Sequence, residues 1–140
     1  MAGWAALSFV AFAASGLSQP ASCSNLALKR VVSLEYPWLA RVTRLGGKVE
    51  LAATISSDGS VERIRTVSGA PLLALPAREA LAKWRFAGFH GSSGCEARIV
   101  FVFELTGSCD AGTHCPSDFE ADLAAGKVTI RAKAINAMVD

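Results

Sequence analysis

The chain has 140 residues, enough for one domain with a modest core. Its 14 Lys and Arg stand against 12 Asp and Glu, and a formal net charge of +2 supplies no electrostatic footprint for nucleic acid. The 4 cysteines, an even count, suit an oxidising compartment and allow three disulfide pairings.

Gly3 to Leu17 (GWAALSFVAFAASGL) carries no charge and is followed by the polar, proline-containing stretch Ser18 to Asn25. At about 15 residues the run falls short of the roughly 20 needed to cross a bilayer and matches the apolar region of a secretory signal. Residues 1–22 therefore read as a signal peptide or short membrane anchor, and the chain as exported. No Lys or Arg precedes the run, and the first basic residue is Lys29. Cleavage after Ala13 or after Ser18 leaves small residues at the last and third-last positions. Pro20-Ala21-Ser22-Cys23 sets small residues ahead of a cysteine as a lipoprotein signal does, so lipid at Cys23 is an alternative anchor. Pro20, however, stands where such signals carry an aliphatic residue.

Leu26 to Glu35 is a short extended or irregular lead-in. Pro37 suits the first turn of a helix over Trp38 to Leu45, with Leu39 and Val42 on one face, and Gly46-Gly47 ends it. Lys48 to Ile55 alternates: Val49, Leu51, Ala53 and Ile55 oppose Lys48, Glu50, Ala52 and Thr54, the pattern of a strand covered on one side. Ser57-Asp58-Gly59 is a hairpin turn signal. In the returning strand, Ser60 to Val67, the odd spacing of Val61 and Ile64 calls for a bulge near Glu62-Arg63. Pro76 fits a helix N-terminus, from which Ala77, Ala80, Leu81 and Trp84 form one stripe of a helix ending at Trp84-Arg85-Phe86.

Gly88, Gly91 and Gly94 make a loop leading to Cys95. Ala97, Ile99, Phe101, Phe103 and Leu105 then share one strand face, while Val100 and Val102 make the other face apolar too. Such a strand is shielded on both sides or else sticky. Pro116 to Ala125 reads as a short helix with Ser117 as cap and Glu120 as its partner. Lys127 to Ile135 alternates cleanly, with Val128, Ile130, Ala132 and Ala134 opposite Lys127, Thr129, Arg131 and Lys133, and reads as a fourth strand with a basic outer face.

Cys109 and Cys115 bracket the loop Asp110 to His114, so a bridge between them closes little chain and stabilises little. Cys23 and Cys95 are then left for each other, a bridge that ties the start of the mature chain to the loop before the apolar strand and excludes lipid at Cys23. The rival is a metal site from Cys95, Cys109, His114 and Cys115, but adjacent His114 and Cys115 have trouble facing one ion, and no Cys-x-x-Cys pair is present. Neither a metal nor another cofactor is expected. His90 and His114 lie in glycine-containing loops outside any nucleophile or zinc motif, and Ser92 and Ser93 are more simply loop residues, so the chain is not read as an enzyme.

Taken together and in order, Tyr36-Pro37, Gly47-Lys48-Val49, Asp58-Gly59-Ser60-Val61, Ser68-Gly69, Trp84-Arg85-Phe86 and Phe101-Val102-Phe103 resemble the C-terminal domain of the TonB family. The resemblance covers Tyr36 to Leu105. It implies an α+β fold of two layers: an antiparallel sheet of three to four strands with helices packed on one face, occupying residues 26–105. Residues 106–140 add the disulfide loop, the short helix and the extra strand. Family members that energise outer-membrane import anchor in the inner membrane, span the periplasm on a proline-rich linker and pair an edge strand with a peptide of the outer-membrane receptor. That peptide-binding edge corresponds here to Arg98, Ile99, Val100, Phe101, Val102, Phe103 and Glu104, where backbone hydrogen bonds would supply affinity.

Three departures argue against a complete energy transducer. Only about ten residues, none of them proline, separate Asn25 from Tyr36, too short a tether for a periplasm at 3.6 Å or less per residue. The apolar N-terminal run is short and offers only Ser8 and Ser15 as polar groups. The tail supplies its own strand beside the one that would receive a receptor. The expectation is an exported, non-enzymatic TonB-like module of the periplasm that binds a protein or peptide, with a TonB-dependent outer-membrane receptor as candidate partner in transmembrane transport. The alternative is a structural envelope protein whose edge pairs with a second copy, making a homodimer, or with its own C-terminal strand. Trp84 and Phe86 read as core before recognition aromatics, and Arg63, Arg65 and Arg85 as solvated before partner contacts.

Overall fold

The computed structural model describes residues 3, 21–23, 26–87 and 94–137. The apolar N-terminal run after Gly3 with both cleavage positions, and Gly88, His90, Gly91, Ser92 and Ser93, lie outside the described residues. Among the described residues no helix is long and apolar enough to cross a membrane.

Alternating burial builds the first hairpin. In β2, Gly47–Ile55, the set Val49, Leu51, Ala53 and Ile55 is wholly buried, and β3, Val61–Ser68, returns antiparallel beside it. Gly59 sits at φ 90°, and a Cβ there would lie 1.9 Å from the Phe86 carbonyl oxygen, so the turn admits only glycine. The Asp58 carboxylate accepts the Ser60 N–H at 2.9 Å and the Ser60 hydroxyl at 2.7 Å, and also the Ser56 hydroxyl. The Ser56 bond, then the Ser60 bonds, hold its acid far below the usual carboxylate range. A depressed folded pKa contributes stability above the unfolded value and loses it as pH falls toward the folded one. Asp58→Asn is thus expected to be less stable than the wild type at neutral pH, with the gap narrowing below about pH 4. Urea denaturation at several pH values reads it, and a gap independent of pH would contradict the bonding.

Register confirms the bulge: Thr54 pairs with Arg63 and Ile55 with Val61, leaving Glu62 extra. A second irregularity leaves Val67 unpaired between Thr66 and Ser68.

Two expected helices are corrected. The helix α2 runs Pro71–Ala82, so it starts at Pro71 and contains Pro76 in its interior. Pro71 occupies the first helical position, where the missing N–H is harmless. Helix α2 buries Leu73, Ala74, Ala77, Ala80 and Leu81. It stops before Trp84, and Arg85–Phe86 form the short strand β4, paired with β1, Leu28–Arg30, in a separate two-stranded sheet. Within Pro116 to Ala125 the structure has the strand β6, Ser117–Asp122, in place of a helix. Phe119 and Ala121 alternate with Asp118, Glu120 and Asp122, a period of two that fits a sheet edge. The oxygen expected to cap a helix, Ser117 Oγ, instead accepts the Tyr36 N–H at 3.3 Å.

The helix α1, Trp38–Val42, is shorter than its apolar pattern. The strand β5 spans Cys95–Asp110 and β7 spans Lys127–Asn136. The main sheet has five strands in the order β3-β2-β5-β7-β6, and β7 runs parallel to β5. The three to four antiparallel strands expected are therefore five in a mixed sheet. Both helices contribute to a core against one face, with Trp84, Phe86 and Phe101 in tilted contact at centroid distances of 6.3 and 6.0 Å.

The bridges join Cys23 to Cys95 across 72 positions and Cys109 to Cys115 across 6. The Cys23 sulfur is thereby unavailable for lipid. Chain-entropy reasoning gives the long loop roughly 4 kcal/mol and the short one roughly 2 kcal/mol. Replacing Cys23 and Cys95 by serine is expected to lower the denaturation midpoint more than replacing Cys109 and Cys115. Equal midpoints would contradict that ranking.

Candidate functional site: a strand filled on both edges

An extended chain offers main-chain donors and acceptors along two edges, and a sheet binds a peptide only where one edge is empty. In β5 the first edge is taken by β2, antiparallel from Gly47 opposite Phe103 to Ile55 opposite Cys95. The second is taken by β7, parallel from Val100 opposite Lys127 to Asp110 opposite Asn136. The Val100 N–H donates to the Gly126 carbonyl at 2.9 Å, where that ladder begins. Upstream, Ser22 bridges Glu96 in parallel: the Cys23 N–H donates to Glu96 at 2.9 Å and the Glu96 N–H to Ala21 at 2.8 Å, beside the Cys23–Cys95 disulfide. Within Arg98 to Glu104, expected as a peptide-accepting edge, Val100 to Glu104 are therefore paired on both sides, whereas the β7 ladder starts beyond Arg98 and Ile99. Gly107, at φ 72°, lies in the irregularity where β5 carries two residues against Lys133 of β7.

The side chains divide by face. Ile99, Phe101 and Phe103 are buried in the core, and the Phe103 ring meets Tyr36 edge-on at 5.3 Å. The opposite face carries the charged pairs, exposed toward its margins and covered at Val102, Ala52 and Thr129. There Arg98 pairs with Glu50 at 3.3 Å and with Glu96 at 3.7 Å, and Arg65 with Glu96 at 3.7 Å. Arg131 pairs with Glu104 at 2.9 Å and Glu120 at 3.4 Å, and these bonds raise the guanidinium pKa. Such exposed pairs are each worth about 1 kcal/mol or less. Val102 is buried and Val100 half-buried on this face. Their cross-strand neighbours, Lys48 and Thr129 for Val102, Glu50 and Lys127 for Val100, flank them there.

A residue that sequence reading passed over fixes α1 onto this arrangement. Arg41 is 6% exposed; its Nε donates to the Lys133 carbonyl at 2.9 Å and its Nη1 to the Cys115 carbonyl at 2.9 Å. Nothing in the pattern Leu39 to Val42 distinguishes it from a solvated helix arginine. Tyr36 donates its hydroxyl to the Leu45 carbonyl at 2.5 Å, and burial pushes its phenol pKa up against the opposing pull of Arg41. Trp84 and Phe86 are core: the indole Nε1 donates to the Val32 carbonyl at 2.9 Å. Arg63, Arg65 and Arg85 are exposed. All three cysteines of the rival metal set are oxidised, which removes them as thiolate ligands. A cleft of about 700 Å³ between the start of β5 and the β6–β7 turn is lined by Ser22, Leu26, Phe86, Glu96, Arg98 and Leu123, and its Glu96 and Arg98 neutralise each other.

A hairpin, a helix laid across it and a long apolar strand, in that chain order, define a small helix-on-sheet module built around main-chain pairing. A family model described as Gram-negative bacterial TonB protein C-terminal matches residues 32–105, just over half of the chain, and the chain belongs to that family. It is similar to the C-terminal domain of Pseudomonas aeruginosa TonB, solved by solution NMR, at 28% identity over 63% of this chain and 96% of that one, with a TM-score of 0.52. No curated protein matches the chain. The family match ends inside β5, so β6 and β7 lie wholly beyond it.

Proposed function

We propose that the chain is an exported, non-enzymatic TonB-like module of the bacterial envelope that works by contact with another protein, and that its own β7 stands where a receptor peptide would pair. Family membership supports a TonB-like role in transport. The observation that carries the reading is the β5–β7 ladder, which runs through the residues that would otherwise receive the peptide. β7 is no loose flap, because Val128, Ile130 and Ile135 are completely buried. Exposing each removes about 1.5–3 kcal/mol, and the sum approaches the 5–15 kcal/mol that holds a typical domain together. The ladder covers Val100 to Glu104 of the expected edge, which supports the alternative in which the sheet edge is occupied by the chain's own C-terminal strand.

Titrating the full, oxidised chain with a synthetic receptor peptide of the TonB-binding type, read by amide NMR, tests this. Signals of Val100 to Leu105 and Val128 to Ala132 are expected to stay in place. Saturable shifts there, with loss of β7 protection, would overturn the reading. Mass spectrometry of the mature, non-reduced protein from the envelope tests export, and a cytosolic, thiol-reduced chain would refute it.

A further inference from the structure

The two outer strands of the five-stranded sheet are unequal. β3 is interrupted by the extra residues Glu62 and Val67, Ser60 at its start is bridged to Arg85, and Arg78 of α2 donates to Thr66 Oγ1 at 3.0 Å. Bulges and charged edge residues blunt a strand against further pairing. β6 carries acidic side chains on one face but no bulge: Ser117 to Asp122 pair with β7 in six consecutive positions with no register shift. Among the described residues, nothing outside β7 bonds to the main chain of residues 118–121.

Resting on the reading that β5 is closed, we infer that the outer edge of β6 accepts an extended segment of a partner protein bearing Lys or Arg at alternate positions with apolar residues between them. Asp118, Glu120 and Asp122 are exposed at every second position on the open face, and among the described residues Asp118 and Asp122 form no salt bridge. Phe119 and Ala121, on the helix side, are only partly covered and continue the core outward. An added strand would set its cations against the first row and its apolar residues against the second. A second copy is a poor occupant. Antiparallel pairing of β6 with itself sets Asp118 against Asp122 and Glu120 against Glu120, which is repulsive. The basic β3 of another copy is broken by its bulges.

The probe is a capped octapeptide of alternating lysine and valine, titrated into the full oxidised chain near physiological ionic strength. Amide shifts are expected to concentrate in residues 117–123, and binding to weaken about tenfold in Asp118→Asn/Asp122→Asn with its thermal midpoint unchanged. N-methylating one alternate set of peptide nitrogens is expected to abolish binding, while methylating the other set is expected to leave it intact. Equal binding by an alternating glutamate-valine peptide, indifference to N-methylation at both sets, or a β6-paired dimer that the peptide does not dissolve would each overturn the inference. Shifts on neither β6 nor β5 would refute this edge alone, whereas shifts on β5 and β7 would refute the closed-strand reading.

Discussion

Trp84→Ala is expected to remove about 3–5 kcal/mol of unfolding free energy, a large share of the roughly 5–15 kcal/mol that holds a typical domain folded. The indole is completely buried, packs against Phe86 and Phe101, and donates to the Val32 carbonyl. Truncation opens a cavity at the junction of the helix layer, the sheet and the lead-in strand, and strips the Val32 carbonyl of its partner, which adds about 1 kcal/mol. Trp38→Ala is the matched comparison, since that ring is 58% exposed and its loss is expected to change stability by about 0.5 kcal/mol or less. Urea denaturation of both variants decides the matter. Comparable midpoints would mean that Trp84 is not the keystone of the core.

Ile130→Asp is expected to destabilise the whole domain by at least about 3 kcal/mol at neutral pH, because it places an unpaired carboxylate at a wholly buried position of β7. Burial raises the folded-state pKa of such a group, so the folded form takes up the proton first and part of the lost stability returns as pH falls through that raised value toward the lower unfolded one. Arg131→Ala, one position along but on the open face, gives up only its pairs with Glu104 and Glu120 and is expected to cost about 1 kcal/mol or less. The contrast carries meaning for the site. If β7 were a detachable plug, Ile130→Asp would release the tail while the Trp84 environment persisted; loss of both signals in one transition is the expected outcome.

How far the sequence reached depended on which physical signal each segment carried. Period-two burial marked β2 and β7, Asp58-Gly59 marked the turn, and the misfit of Val61 with Ile64 pointed to a bulge near Glu62-Arg63, where the register makes Glu62 the extra residue. Elimination among four cysteines arrived at both bridges. Pro76 misled, because proline is as much at home in the first turn as it is costly inside, and nothing local revealed that Pro71 already held the start. Ser117 and Glu120 imitated a helix cap, yet the open edge of β7 offered that segment a complete ladder and the alternation of Phe119 and Ala121 prevailed. Side-chain period gives a strand's faces but neither its neighbour nor its direction. The parallel seat of β7 beside β5, which decides the fate of the candidate edge, was thus legible only as one alternative. Arg41 left no trace, since its role comes from carbonyls of Cys115 and Lys133 far along the chain.

Native-state hydrogen exchange on the full, oxidised chain addresses the closed edge of β5 most directly. The amides of Val128 to Ala132 are expected to exchange only through global unfolding, with the same free energy and denaturant dependence as those of Leu51 and Ala53 in β2. Exchange of the β7 amides through a local opening, while the β2–β5 ladder keeps its protection, would show a strand that leaves its place and an edge that is free after all.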